Sequence, residues 1–298
     1  MWYDHSIYHR HDRTIHTHHR HPRLDWSNCL VEHGGQQLVA ICRAMRDAIL
    51  PHLGQGSIPD ARLRSTGAPE EMTTTFIHCT PNAERLIVDM ARVSNPANQG
   101  NHETVPRLLR YLITHKHWSP FEMAGLCIKI ETERDIAAQI LRHRSFSFQE
   151  FSTRYATTSP AEIPALRRQD TTNRQNSTDD LDPKIREALE MDAGGVIAAA
   201  FLTYQTMLFQ GVAKETARRI LPLCTPTTLY MHGTLRSWLH YIEIRTGPET
   251  QLEHRLIAEG CRAIFAEQFP TGFNGLKHSA SPSNACVFHA VAPTKVTQ

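Results

Sequence analysis

The chain has 298 residues, of which 40% are hydrophobic and 21% are charged, and its formal net charge is +2. This composition predicts a soluble globular protein with a sizeable core in one large or two small domains. The small net charge does not favour nucleic acid as a partner. No apolar run approaches the roughly 18 residues of a membrane span, and the N-terminus lacks the apolar core of a secretion signal.

The use of cysteine indicates a reducing compartment. The chain has seven cysteines, which are widely spread and include no Cys-x-x-Cys pair. A chain of this length does not depend on disulfides for stability, so we expect reduced thiols and a cytoplasmic location.

The first 71 residues differ in composition from the rest. Seven histidines lie within residues 1–26, and imidazole groups bind zinc, copper or nickel. Because no carboxylate or cysteine partners stand at a defined spacing, we favour a His-rich, largely disordered tail that holds no metal over a metal-binding segment. Apolar residues at helical spacing predict one short helix over 36–50, and prolines and glycines then predict a linker.

The next elements follow from hydrophobic periodicity. A strand is predicted over 73–77, and helices are predicted over 82–93 and 105–113. Pro106 suits the first turn of the second helix, since its missing N–H would have no partner there. Alternating apolar and polar residues predict a further strand over 123–131.

A helix is then predicted over 134–143, with Ile136 and Ile140 facing the core. The opposite face places a carboxamide beside a guanidinium, because residues at i, i+3 and i+4 are neighbours on a helix. The residues at this spacing are Gln139, Arg142 and His143.

The stretch 142–155 mixes charges, hydroxyl groups and aromatic rings. A guanidinium beside hydroxyl groups suits phosphate, because its planar fork of N–H donors matches two phosphate oxygens. Aromatic faces offer a surface on which a flat ring can stack. We interpret the stretch as a pocket for a phosphorylated, ring-bearing ligand, and a solvated basic helix end is the alternative. The aromatic residues are Phe146, Phe148, Phe151 and Tyr155.

The second half of the chain is predicted to be mainly helical. A polar loop over 156–182 precedes a long helix that starts at 183, and a short helix over 211–222 is stopped by Pro222. The Thr-Pro pair before 227 is taken as the cap of a helix that runs to about 245. Its apolar stripe is Leu235, Leu239 and Ile242, and its polar stripe is Arg236, His240 and Glu243.

The stretch 142–155 resembles a family signature. Its Arg-His-Arg triplet, followed after seven residues by Ser152, is similar to the signature of the flavin-dependent thymidylate synthases. The residues that fill out the match are Glu150, Arg154 and Tyr155.

Three more segments resemble this family. They are Ser-Pro-Phe-Glu at 119–122 with His117 before it, Ala-Arg-x-x-Leu-Pro at 217–222, and Arg-x5-Gln-x-Glu at 245–253. The spacings from Arg218 to Glu253 fit the family without a gap. His240 stands where some members have Asn, and Thr234 replaces another common Asn, which weakens one expected flavin contact. The resemblance covers residues 76 to 270, so we expect a catalytic domain over 72–280, a tail over 281–298, and an extension over 1–71 that is dispensable for activity.

The resemblance implies both a fold and a reaction. The fold is α+β, with a central mixed or antiparallel sheet surrounded by helices, in a homotetramer whose sites form between subunits. The reaction is the reductive methylation of dUMP to dTMP, with 5,10-methylenetetrahydrofolate as the carbon donor. NADPH reduces FAD, which supplies the hydride. Neither nucleic acid nor a membrane is implied as a partner.

The resemblance also assigns roles to residues. Arg245 and His240 are the expected catalytic residues, with Arg245 activating the uracil ring. The residues expected to bind dUMP are Gln139, Arg142, Glu150, Ser152, Arg154, Arg218 and Arg245. The residues expected to bind FAD are His117, Ser119, Arg142, His143, Arg144, Glu150, Arg236 and His240.

Three alternatives stay open from the residues themselves. One is a nucleotide- or RNA-binding module, whose affinity would fall steeply with salt. Another is a metal-handling protein led by its His-rich tail. The third is catalysis by a cysteine nucleophile: Cys224 is the cysteine near the site segments, although we favour a buried structural thiol.

Overall fold

The computed structural model describes residues 72–273, and the expected helix over 36–50 and the tail over 281–298 lie outside this range. The strands are β1 Thr73–Cys79, β2 Gly125–Glu133, β3 Phe146–Glu150, β4 Arg168–Gln169, β5 Ser177–Thr178 and β6 Pro226–Thr234. The α-helices are α1 Ala83–Ala91, α2 Val105–Thr114, α3 Arg134–Ile140, α4 Pro183–Phe209, α5 Lys214–Ala217, α6 Leu235–Arg245, α7 Leu252–Gln268 and α8 Pro270–Phe273. Short 3₁₀ helices span Pro96–Asn98, Ser119–Glu122 and Arg218–Ile220.

The central sheet has four strands in the order β1-β2-β6-β3. Every pairing in it is antiparallel. The longest ladder joins β2 to β6 and runs from the Gly125–Thr234 pair to the Glu133–Pro226 pair. This arrangement confirms the expected α+β class and makes the described sheet antiparallel rather than mixed.

The strand β2 has the faces that its sequence predicts. Leu126, Ile128 and Ile130 are fully buried. On the other face Lys129 Nζ lies 2.7 Å from a carboxylate oxygen of Glu131. The alternation of apolar and charged residues therefore separates a core face from a polar face.

Residues 226–234 form the strand β6, so the prediction of a helix over this segment is wrong. Alternate side chains of this segment are buried, which is the period of a strand with one face in the core. Its β-branched threonines also favour extended backbone. The helix α6 begins only at Leu235, where Thr234 Oγ1 accepts a hydrogen bond from the Ser237 N–H at 3.3 Å. The apolar stripe predicted for the helical part is confirmed, since Leu235, Leu239 and Ile242 are buried.

Three other predicted elements differ from those in the structure. The helix predicted over 134–143 ends at Ile140, because the chain must turn to begin β3 at Phe146. The predicted helix over 211–222 reduces to α5 and one 3₁₀ turn. The predicted loop 156–182 contains the short antiparallel pair of β4 and β5.

The start of α4 is confirmed. Asp182 caps it, since one carboxylate oxygen accepts hydrogen bonds from the N–H groups of Lys184 at 2.9 Å and Ile185 at 3.2 Å. Pro183 occupies the first turn, as its fixed φ allows. Within residues 72–273, no helix combines the length and the apolar character needed to cross a membrane.

Helices pack against the sheet to form one core. Trp238 of α6 and Phe265 of α7 are almost completely buried, as are Ile87 of α1 and Leu109 of α2. The indole N–H of Trp238 donates to the carbonyl of Leu126 at 2.9 Å, so this large side chain leaves no buried donor unpaired. This hydrogen bond therefore holds α6 against the first residues of β2.

We predict that Gly233→Ala destabilises the fold by about 1–3 kcal/mol, the usual cost of overpacking a core. Gly233 pairs with Phe146, and a Cβ at Gly233 would overlap the Phe146 ring. Gly100→Ala is the control, because nothing lies within 4 Å of a Cβ built there. Urea unfolding of the two variants measures the difference, and equal stability would contradict this account of the contact.

Candidate active site

A hydrogen-bond network joins the two halves of the expected site. The Gln139 Nε2–H donates to Gln251 Oε1 at 2.7 Å, across 112 positions of sequence. Gln251 Nε2–H in turn donates to Glu253 Oε2 at 3.0 Å. On the other side, His254 Nδ1 lies 3.3 Å from Gln139 Oε1, and His254 Nε2 lies 3.2 Å from the Tyr241 hydroxyl. The structure thus brings Gln139 beside residues 251–254 of the second half of the chain.

His254 and Tyr241 were not anticipated from the sequence. Both are fully buried. Burial, and then the charges of Arg245 and His143, lower the pKa of His254 to about 3. Burial also raises the pKa of Tyr241 well above its usual range. Both groups are therefore neutral near pH 7 and act as fixed hydrogen-bonding groups. His254 follows Glu253 in the sequence and Tyr241 lies in α6. Apart from the family pattern around them, nothing in the sequence indicates that these two side chains are in contact.

Arg245 and His143 are in direct contact. The Arg245 Nε–H donates to His143 Nε2 at 2.9 Å. Burial, followed by the charges of Arg245 and His240, lowers the pKa of His143 to about 4, so its ring is neutral near pH 7 and can accept this hydrogen bond. Within residues 72–273, no hydrogen bond engages the terminal nitrogens of Arg245. The guanidinium is thus held through its Nε edge, and its terminal nitrogens have no hydrogen-bond partner among the described residues.

The aromatic residues of the stretch 142–155 divide between core and surface. Phe146 is buried, with its ring centroid 5.0 Å from that of Trp238 in an edge-to-face arrangement. Phe151 and Tyr155 are exposed. The expectation that Phe146 offers a face to a ligand is therefore wrong, because the strand pairing of β3 turns this ring into the core. Its role is to anchor the strand that carries Glu150.

The residues expected at the phosphate lie close to one another. Arg218 Nη1–H donates to Thr153 Oγ1 at 3.4 Å, which places it against the loop that carries Ser152 and Arg154. Arg154 is exposed and lies 3.5 Å from a carboxylate oxygen of the equally exposed Glu215. An exposed ion pair of this kind contributes little stability, so an anionic ligand can replace it at small cost.

Glu150 lies beside this cluster. One carboxylate oxygen accepts a hydrogen bond from Thr227 Oγ1 at 3.0 Å and lies 3.9 Å from a guanidinium nitrogen of Arg134. Arg134 was not anticipated from the sequence, and its guanidinium also donates to Thr153 Oγ1 at 3.3 Å. Glu150 is therefore held at the end of β3 by groups from β6 and α3.

The residues expected to bind FAD lie mainly on the surface. The exposed members of this group are His117, Ser119, Arg142, Arg144, Arg236 and His240. The 119–122 segment meets α6 here, because Arg236 forms an ion pair with Glu122. Ser237 Oγ–H also donates to the carbonyl of Ser145 at 3.2 Å. The group gives one face of the chain several exposed cations, which suit the phosphates of a dinucleotide.

Gln251 also lines a cavity of about 360 Å³. Glu133, Asp135, Glu253, Arg167 and Cys224 are among the residues that line it. Burial, then the charges of Asp135, Glu253 and Glu162, raises the pKa of Glu133 to about 7. Burial and the charge of Glu133 raise the pKa of the Cys224 thiol, which opposes formation of a nucleophilic thiolate.

Among the residues that the structure describes, no cluster of three or more His, Cys, Asp or Glu side chains has the arrangement of a metal site. The His-rich residues 1–26 lie outside the described range.

Comparison with known proteins shows the family of this chain. The family model described as "Thymidylate synthase complementing protein" matches residues 75–271. A protein of Paramecium bursaria Chlorella virus 1, named "Probable flavin-dependent thymidylate synthase", is 48% identical over 201 residues, which are 67% of this chain and 93% of the relative. A flavin-dependent thymidylate synthase of Synechocystis is 48% identical over 188 residues, which are 63% of this chain and 86% of the relative.

A solved structure shares the fold. The UMP/dUMP methylase PolB from Streptomyces cacaoi, bound with 5-bromo-dUMP, matches with a TM-score of 0.62 and 25% identity. The match covers 69% of this chain and 94% of the PolB chain. The matched residues 75–271 include all four segments that assemble the site described above. By this match and by the identity to its relatives, the chain belongs to the family of flavin-dependent thymidylate synthases.

Proposed function

We propose that the chain converts dUMP to dTMP by reductive methylation, with 5,10-methylenetetrahydrofolate as the carbon donor and NADPH as the source of reducing equivalents through FAD. The observation that carries this proposal is the meeting of Gln139 with Gln251 at 2.7 Å. This contact and the Arg245–His143 hydrogen bond at 2.9 Å join residues in and just before the signature stretch to the segment 245–251. The family relationship and the neutral, oriented groups around Arg245 support the same reaction.

The phosphate of dUMP is proposed to bind at the end of β3. Arg154, Ser152 and Arg218 supply two guanidinium forks and a hydroxyl around one loop. Charge-assisted hydrogen bonds of this type contribute roughly 1.5–3 kcal/mol each. Arg218 already contacts the loop through Thr153, so little reorganisation is needed when the phosphate arrives.

The nucleoside is proposed to bind between Gln139, Arg142 and Glu150. The carboxamide of Gln139 has one N–H committed to Gln251. Its second N–H and one oxygen lone pair stay available to a base or a ribose. Glu150 is near enough to the same loop to contact the nucleotide and, at its other side, the cofactor.

Arg245 is proposed to activate the pyrimidine. A guanidinium against the uracil edge stabilises the negative charge that develops as N3 loses its proton, and this makes C5 more nucleophilic. His143 accepts from Arg245 Nε, and we propose that it holds the guanidinium with its terminal nitrogens toward the ligand. We propose that His240 acts in the same region, which is supported by its contribution to the lowered pKa of His143.

FAD, when bound, supplies the hydride chemistry. The residues proposed to hold it are His117, Ser119, Arg142, His143, Arg144, Glu150, Arg236 and His240. The cationic members suit its pyrophosphate. Because most of this group is exposed on one chain, we propose that a second copy of the chain completes the site, in a homotetramer.

The test of this function is NADPH oxidation by the purified chain with FAD and methylenetetrahydrofolate, with and without dUMP. We expect NADPH oxidation that depends on dUMP, with one dTMP formed for each NADPH oxidised. Flavin binding with no dTMP formed in any condition would contradict the proposal.

We predict that Arg245→Lys lowers kcat at least about 100-fold, because an ammonium group cannot reproduce the planar fork at the developing charge. Steady-state rates with saturating dUMP measure the effect. Arg219→Lys, at an exposed arginine that lies next to Arg218 in sequence, is the matched control and should keep the wild-type rate. A near-wild-type rate for Arg245→Lys would remove Arg245 from the chemistry.

A further inference from the structure

Arg167 lies in the polar segment between the signature stretch and α4, where the sequence pattern indicates no chemistry. Its Nη2–H donates to Glu253 Oε1 at 2.5 Å, and only 14% and 17% of the two side chains are exposed. Its Nε–H donates to Ser177 Oγ at 2.8 Å. A largely buried, hydrogen-bonded pair of charges is uncommon and needs good geometry to be stable.

The contact lies at one end of the network that holds Gln139. Glu253 divides its two oxygens, with Oε1 accepting from Arg167 and Oε2 accepting from Gln251 Nε2. A carboxylate only accepts, so Gln251 must present its NH₂ group to Glu253 and its oxygen to Gln139. The order of donors and acceptors is thus fixed from this end.

The same order continues to the other end. Gln139 donates to Gln251 Oε1, which leaves Gln139 Oε1 to face His254 Nδ1. Neutral His254 then carries its proton on Nδ1 and accepts from the Tyr241 hydroxyl at Nε2. One direction of donation therefore runs from Tyr241 to Glu253, and it determines which way the Gln139 amide faces.

The surroundings of Glu253 make this order depend on a cation. Glu133 and Asp135 line the same cavity, and Arg167 is the cation among the residues that line it. Without that cation, Glu253 would lie near two other carboxyl groups, and none of the residues that line the cavity would carry an opposite charge. Because like charges repel, the Glu253 carboxylate would turn away from its place against Gln251. The Gln251 and Gln139 amides would then be free to rotate.

We propose that Arg167 is a positioning residue for the pyrimidine nucleotide: it holds the Glu253 carboxylate against Gln251 and thereby fixes the orientation of the Gln139 amide. The inference rests on the proposed function, since it takes dUMP as the ligand of Gln139. Arg167 itself touches neither the nucleotide nor the cofactor in this account.

The test compares two adjacent arginines in the full chain with FAD bound. Arg167→Met should raise the KM and the Kd for dUMP roughly 5- to 100-fold, the effect of leaving one buried hydrogen-bonding group at Gln139 without its partner. The value of kcat should change less than about threefold, because a binding contact is lost rather than one made only in the transition state. Arg168→Met, which removes an exposed partner of Asp180, should leave the KM, the Kd and kcat unchanged.

A second set of variants separates positioning from general damage to the β4–β5 segment. Ser177→Ala removes the other hydrogen bond of Arg167 and should leave the dUMP affinity within about twofold of wild type. Arg167→Lys keeps a cation near Glu253 and should recover most of the affinity. On a Glu253→Gln background, Arg167→Met should cost at most about threefold, since no carboxylate remains to be held. If Arg167→Met does not fold, Arg167→Gln makes the same comparison.

The outcomes distinguish this inference from the function on which it rests. A wild-type chain that binds FAD but forms no dTMP from dUMP defeats the proposed function and this inference with it. A wild-type chain that turns over dUMP, with Arg167→Met or Arg167→Gln unchanged in dUMP affinity, overturns the inference alone. Equal losses from Arg167→Met and Ser177→Ala would also overturn it, because they would show a structural role of the segment.

Discussion

The place of β6 between β2 and β3 is the constraint on which the site depends. The strand β6 pairs with nine residues of β2 and with five of β3. The chain leaves β2 into α3, which carries Gln139, and leaves β6 into α6, which carries Arg245. Because β3 pairs with the other edge of β6, residues 142–145, which precede β3 in the signature stretch, are brought beside both helices. One central strand thus aligns segments that are about 100 residues apart in sequence.

Within this frame, buried polar contacts set the finer geometry. The network from Tyr241 to Glu253 places five polar side chains in or near the core, and each has a partner. An unsatisfied buried group costs about 1–3 kcal/mol, so the arrangement resists any single rotation. His143 and His254 add no charge near pH 7, because burial and Arg245 hold their pKa values low. The positive charge of Arg245 therefore stands close to neutral groups, where its effect on a ligand is least screened.

Much of this could be predicted from local sequence, and the failures have physical causes. The alternation in β2 and the start of α4 at Pro183 are local signals, and both predictions are confirmed. The helix predicted over β6 is wrong, because a Thr-Pro pair that can cap a helix here begins a strand instead. The helix α3 was predicted three residues too long, since its end is set by the pairing of β3 and not by its own residues. Arg167 and His254 could not be predicted, as their roles arise from contacts with residues far away in sequence.

We propose that Arg245, oriented by neutral His143, presents its guanidinium to the uracil edge while the loop after β3 holds the phosphate. A crystal structure with FAD and dUMP would show whether this is so. We expect the Arg245 terminal nitrogens within hydrogen-bond distance of the pyrimidine, and Arg154, Ser152 and Arg218 around the phosphate. A nucleotide bound elsewhere, with Arg245 facing solvent or protein groups only, would rule this arrangement out.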